Sequence, residues 1–289
     1  TMDFRALGMG LLFALMWSSA FTSARMIVAD APPLAALALR FFVSGVIGVG
    51  LARMMGQTWH LTRAQWRATF IFGLCQNALY LGLNFVAMTR VEASLAAIVA
   101  STMPLMVAFF GWVLFREKLR PLALIGLLAG VIGVGIIMGG RLSGGADPAY
   151  VGLCFLAALA LTVATLSVRG ASSGGNVMMI VGLQMFVGAG LLAVTAAVFE
   201  TWAVNWNPRL VGAFLYTTLV PGVLATWVWF WLVGRIGAIK AATFHFLNPF
   251  FGVAIAALFL GETLGTGDII GVVIVTVGIL AVQLSRQAR

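Results

Sequence analysis

Apolar residues run in blocks of about twenty along this chain, and the blocks break at charges, prolines and Gly-Ser clusters. An α-helix rises about 1.5 Å per residue, so crossing ~30 Å of hydrocarbon takes about 20 apolar residues. On that measure the breaks delimit ten spans, near 4–28, 33–54, 66–87, 93–115, 121–138, 149–168, 175–198, 209–232, 239–260 and 267–285. The expected fold is an all-α polytopic membrane protein. The longest links, 55–65, 139–148 and 199–208, are too short to hold a soluble domain. Trp59, Trp66, Trp202 and Trp206 flank spans, where indole rings anchor at the headgroup level.

The pattern occurs twice. Residues 93–133 read ASLAAIVASTMPLMVAFFGWVLFREKLRPLALIGLLAGVIG, and 238–278 read AIKAATFHFLNPFFGVAIAALFLGETLGTGDIIGVVIVTVG. Pro104 pairs with Pro249, Glu117 with Glu262, Gly126 with Gly271 and Gly133 with Gly278, each 145 positions apart. Arg90 pairs with Arg235 at the same spacing, and Gly8 with Gly152 and Arg25 with Arg169 at 144. The chain therefore reads as an internal duplication, with a first five-helix repeat over 1–140 and a second over 141–289. Five is odd, so the second copy starts from the opposite side of the membrane. Transporters use such inverted repeats to build two related states around a midplane site.

Composition strengthens the membrane reading. Hydrophobic residues make up 62% of the chain and charged residues 9%, against roughly 45–50% and 25% in soluble domains. Lipid is the expected solvent. The first span is too long for a signal peptide and no small-residue cleavage site follows it, so it is expected to be retained. Thr1, before Met2, reads as an expression remnant. Cys75 and Cys154 lie within apolar spans, as small hydrophobes.

The net charge of +9 has a topological explanation. With the N-terminus inside, the cytoplasmic segments hold Arg5, Arg53, Arg63, Arg67, Arg116, Lys118, Arg120, Arg169, Arg235, Lys240, Arg286 and Arg289. The outer segments hold Arg25, Arg90, Arg141 and Arg209, which is twelve cations against four. That asymmetry places both termini in the cytoplasm. No basic cluster alternates with stacking aromatics, so nucleic acid is not an expected partner.

At these repeats the sequence resembles the drug/metabolite transporter superfamily, in its ten-helix EamA-type branch. The likeness rests on APPLAALALRF around Arg40, the two proline-centred spans, the FREKL and FLGETL turns at Glu117 and Glu262, and the glycine runs that follow. The first turn reads FRE where the family usually shows LGE. The resemblance implies two inverted five-helix repeats around a central cavity. It also implies export of amino acids or related metabolites across a bacterial inner membrane, and the aromatic amino acid exporters look like the nearest group.

Candidate transport residues follow from polarity at depth. Pro104 and Pro249 sit near mid-membrane in the fourth and ninth spans. Each proline removes a backbone donor and leaves the carbonyl four residues earlier, on Ala100 or His245, without its helical partner. Matching interruptions in two halves point to a binding site or hinges; the competing reading is a packing kink. Ser101, Thr102, His245 and Asn248 lie at the same depth, where polar groups cost several kcal/mol unless satisfied or wet. The two hydroxyls could instead bond their own helix. His245 is a proton acceptor, a substrate contact or a satisfied interior histidine. In the third span, positions 77, 80, 84 and 88 share one helical face, which makes Asn77, Tyr80 and Asn84 a cavity lining or an interhelical seam. The first span offers Trp17 and Ser18, the sixth Thr162 and Thr165, and the eighth Trp227 and Trp231. Arg40, two turns into the second span, is an intramembrane charge that grips a substrate carboxylate or serves structure.

What is missing narrows the chemistry. No Asp or Glu stands at mid-depth in any span, which disfavours cationic-drug/proton antiport and a carboxylate sodium site. No catalytic residues, metal ligands or cofactor are expected. The GTGD string at Gly265 resembles that of intramembrane aspartyl proteases, but that chemistry needs a second aspartate within a span. A receptor would leave the polar stripes without a solute. A nucleotide-sugar or sugar-phosphate carrier would want more than one buried cation, and the spans hold Arg40 alone. The expectation is an exporter of aromatic or broadly neutral amino acids, by alternating access without obligatory ion coupling.

Overall fold

The computed structural model describes residues 3–167 and 175–287. Arg169 and Arg289, counted above with the cytoplasmic charges, lie outside them. Among the described residues ten helices are long and apolar enough to cross a membrane: α1 Phe4–Val28, α2 Pro33–Met54, α3 Arg63–Ala87, α4 Ala93–Phe115, α5 Pro121–Ser143, α6 Pro148–Ser167, α7 Val177–Phe199, α8 Pro208–Ile236, α9 Ala238–Leu260 and α10 Thr266–Gln287. Pro33, Pro121, Pro148 and Pro208 each open a helix, where the missing N–H has no intrahelical partner to lose.

Several boundaries differ from the sequence reading, among them the end of α8 at Ile236 rather than 232, and two differ for local reasons. α3 starts at Arg63 rather than 66, because Thr62 and Gln65 close a capping box: each side chain bonds the other's backbone N–H, at 3.1 and 3.0 Å. α5 runs through Gly139 and Gly140 to Ser143 rather than stopping at 138, so the expected link 139–148 shrinks to 144–147. Arg141 holds that extra turn. Its Nε donates to Asp268 at 2.9 Å, and its other nitrogens reach Glu92 and the Ser94 hydroxyl.

The chain forms two compact units, each drawing on both halves of the sequence. Unit 1 comprises the residues up to Thr22, Arg90–Gly152 and everything from Leu224 on; unit 2 comprises Ser23–Thr89 and Leu153–Val223. In unit 1, α5 lies along α10 and α4 packs on α9. In unit 2, α2 lies along α7. Each of these pairs joins a helix to its own repeat mate, as an inverted duplication folded on itself requires. Glycine permits the closest approaches: a Cβ at Gly126 would lie 2.6 Å from the carbonyl oxygen of Gly278, and one at Gly278 would lie 2.7 Å from that of Gly126.

Helix ends are closed by side chains from the other half. The Glu262 carboxylate accepts from the Ala93 and Ser94 N–H groups at 2.8 and 3.0 Å, capping α4 from the end of α9. In unit 2, Glu200 accepts from Leu34 and Ala35, both at 2.9 Å, and Gln57 from Met179 at 3.0 Å. A carboxylate on two orphan N–H groups at a positive helix terminus combines a cap with a charge-assisted bond. Glu262→Ala should therefore cost about 1–3 kcal/mol. Thermal unfolding in detergent or nanodiscs checks this, and an unchanged midpoint would show the cap to be idle.

Candidate transport site

Polar and aromatic side chains converge in unit 1 where α9 breaks. Pro249 has no N–H, so the helix cannot continue regularly through it, and residues 244–247 tighten into a 3-10 turn. The expected unpaired carbonyl of His245 is not unpaired, because the Asn248 N–H takes it across that tighter turn. In a 3-10 turn side chains three apart stand nearly eclipsed. His245 and Asn248 are three apart, and the Asn248 amide nitrogen meets His245 Nδ1 at 2.9 Å. With that amide donating, Nδ1 accepts and the imidazole proton sits on Nε2. From α1, Ser18 donates to the Asn248 carbonyl at 3.3 Å and approaches its side-chain oxygen at 3.5 Å.

Rings surround the imidazole. Phe13 and Trp17 from α1 meet it edge-on, with centroids at 5.5 and 6.0 Å, and Trp229 from α8 lies tilted at 5.5 Å. Phe13 also packs against Trp229 at 4.9 Å. A histidine donor among aromatic faces can hold a planar apolar group while Nε2 bonds a polar one.

The repeat mates carry no such chemistry. Positions 145 earlier than His245, Asn248 and Trp229 are Ala100, Met103 and Asn84, and 144 beyond Trp17, the spacing of that stretch, is Leu161. α4 nevertheless breaks in the matching place, at Thr102, with Pro104 opening the helix that follows. Ser101 bonds the Ala97 carbonyl at 2.5 Å and Thr102 that of Val99 at 2.6 Å, so both hydroxyls serve their own helix.

The remaining candidates divide between the units. Trp231, in unit 1, borders the small apolar cluster of Ala6, Leu232 and Ala241, and Arg235 lies over its ring at 5.3 Å. Trp227 is 52% exposed and joins no ring pair among the described residues. Phe13 and Trp229 are the cluster members that sequence reasoning missed. Phe13 stands one turn from Trp17, a usable signal. Trp229 had none, because Trp227, Trp229, Phe230 and Trp231 put aromatics on every face of α8.

In unit 2, Asn77, Tyr80 and Asn84 of α3 and Met88 just beyond it are all buried. Residues 73–81 form a π stretch, a widened turn frequent at functional sites. Asn77 donates to the Gln184 carbonyl of α7 at 3.0 Å, an interhelical bond. Asn84 donates back to Tyr80 at 2.9 Å and leaves its buried oxygen without a partner. Thr162 and Thr165 bond their own helix at Ala158 and Leu161. Both cysteines are free thiols. Asp268 of the GTGD string is engaged in the first turn of α10, accepting from Gly265 N–H and Arg141.

Comparison with known proteins places the chain. The sequence profile of the EamA-like transporter family matches twice, over residues 4–139 and 149–284. An uncharacterized transporter, YvbV of Bacillus subtilis, is 23% identical over 95% of this chain and 90% of its own. The aromatic amino acid exporter YddG of Ancylobacter novellus is 31% identical over 145 residues, 49% of each chain. A solved structure described as "Crystal structure of protein" superposes with a TM-score of 0.72 at 19% identity, covering 99% of both chains, and shares the fold. The chain belongs to the EamA-like transporter family, within the drug/metabolite transporters, and is a multi-pass membrane transporter rather than an enzyme.

Proposed function

We propose that this transporter exports amino acids, aromatic or broadly neutral, by alternating access without obligatory ion coupling. The observation that carries this reading is the aromatic ring set around His245 in unit 1, held by the Ser18–Asn248–His245 hydrogen bonds. Trp17, Trp229 and Phe13 offer faces to an apolar side chain, and His245 Nε2 offers a donor. The likeness to an aromatic amino acid exporter over half the chain supports the substrate class. The repeats 1–140 and 141–289 are two copies of one five-helix design, and the breaks at Pro104 and Pro249, both in unit 1, serve as its hinges. The twelve-to-four cation asymmetry supports an inner-membrane orientation with both termini cytoplasmic.

Reconstituted vesicles given radiolabelled phenylalanine, threonine and methionine, with and without a proton gradient, test the proposal. Saturable phenylalanine flux indifferent to the gradient is expected. Trp229→Ala should lower it about tenfold, the effect of ~1.4 kcal/mol of lost stacking, and Trp227→Ala should do less. Equal losses in both variants would remove the cluster from the binding site. Absence of flux for every amino acid would end the substrate assignment.

A further inference from the structure

Unit 2 holds a buried cation with nothing to balance it. Arg40 is 6% exposed, its Nε has no hydrogen-bond partner, and no carboxylate pairs with it among the described residues. Among the described residues its directional contact is the ring of Phe41, 5.2 Å from the guanidinium carbon, which satisfies a face and none of the N–H groups. The two acids of unit 2 are committed elsewhere: Glu200 caps α2, and Asp30 accepts from Asn205 at 3.0 Å. Arg141 in unit 1 shows the contrast, since its half-buried guanidinium meets both Asp268 and Glu92. A buried charge left unpaired is costly, and a ligand of opposite sign removes the cost.

A hydroxyl and backbone groups stand close to the guanidinium. α8 opens into a π stretch over Val220–Leu224, and Gly222 lies buried there. A Cβ at Gly222 would stand 3.2 Å from the Ser44 hydroxyl, 3.2 Å from the Thr217 carbonyl and 3.7 Å from an Arg40 terminal nitrogen. Ser44 donates to the Thr218 carbonyl at 3.4 Å, a long bond that is easily exchanged.

We infer that Arg40 and Ser44, beside Gly222, form a binding site for a small carboxylate or comparable anion. If the proposed function holds, the α-carboxylate of the amino acid is the ligand that fits it; the site itself stands on the unpaired guanidinium. A guanidinium binds carboxylate through two parallel N–H donors, a geometry lysine cannot reproduce.

The test uses the purified full chain in nanodiscs, with sodium methanesulfonate balancing ionic strength. Thermal unfolding is followed against acetate, phenylalanine and phenethylamine. Without carboxylate, Arg40→Met should unfold at a higher temperature than the wild type, because an uncompensated charge has gone. Acetate should raise the wild-type midpoint saturably and leave Arg40→Met unmoved, with half-saturation shifted about tenfold or more in Arg40→Lys. Phenylalanine acting below the acetate range while phenethylamine does nothing identifies the solute's carboxylate. Acetate acting alone identifies a resident anion, and either result supports the site. A lower midpoint in Arg40→Met with no wild-type response to acetate overturns it in favour of a structural arginine. Should Arg40→Met fail to fold, Gly222→Ala decides: unchanged acetate half-saturation rejects the site, and weakened binding keeps it. Because the readout is binding, missing amino-acid flux in vesicles would sink the proposed function without touching this inference.

Discussion

Asn248→Leu should lower saturable phenylalanine flux by at least about tenfold at matched incorporation. The substitution keeps the volume but leaves His245 Nδ1 without the donor that now orients it, while Ser18 keeps the residue 248 backbone carbonyl. Each buried polar group left unmet costs about 1–3 kcal/mol, and 1.4 kcal/mol is tenfold. Asn248→Asp separates orientation from packing. A carboxylate only accepts, so Nδ1 must then carry the proton, and the neutral imidazole loses its donor at Nε2. Flux should fall in this variant too, with an unfolding midpoint near the wild type. Normal flux in both variants would show that the orientation of the imidazole is irrelevant to transport.

Gly278→Leu should leave little folded protein, and Gly278→Ala should lower stability by about 1–3 kcal/mol or more. The reason is reciprocal backbone contact between α5 and α10. A side chain at Gly278 meets the Gly126 carbonyl, and Gly133 and Gly271 form the second crossing, with virtual Cβ to oxygen distances of 2.9 and 2.8 Å. Real Cβ atoms do not approach backbone so closely, so the helices must part and the whole seam loosens. Gly135 and Gly139 of α5, with nothing within 4 Å, are the internal control. Alanine there should be neutral or slightly stabilising, through helix propensity alone. Unfolding midpoints read by tryptophan fluorescence distinguish the two sets. Similar losses at Gly278 and Gly135 would refute the seam argument.

Much of this architecture was legible because its signals are local or repeated. Blocks of about twenty apolar residues give spans directly, and the 145-residue spacing marked the glycines and prolines that matter. The breaks at Pro104 and Pro249 were readable, since proline acts on its own helix. What stayed hidden depends on which helices become neighbours. Arg141 reads as a loop charge until Asp268 and Glu92 stand beside it and extend α5 by a turn. Glu262, Glu200 and Gln57 look like surface residues until their targets, helix starts far along the chain, come within 3.0 Å. The hydroxyls of Ser101 and Thr102 could have pointed outward or back, and period alone cannot choose between those rotamers. Trp229 was masked by its own aromatic neighbours.

The pairing of repeat mates also sets an order of assembly during synthesis. Unit 2 is complete in the chain once residue 223 has been made, whereas unit 1 needs α9 and α10. The glycine face of α5 therefore enters the bilayer with its partner still untranslated. The contacting pairs Gly126–Gly278 and Gly133–Gly271 lie 152 and 138 residues apart, a gap that at about 5–20 residues per second lasts roughly 7–30 s. For that interval lipid, or another nascent helix, occupies the seam that α10 will close. A ribosome stalled before α10 would release a chain with one finished unit and one exposed groove, a form that quality-control proteases can recognise and clear.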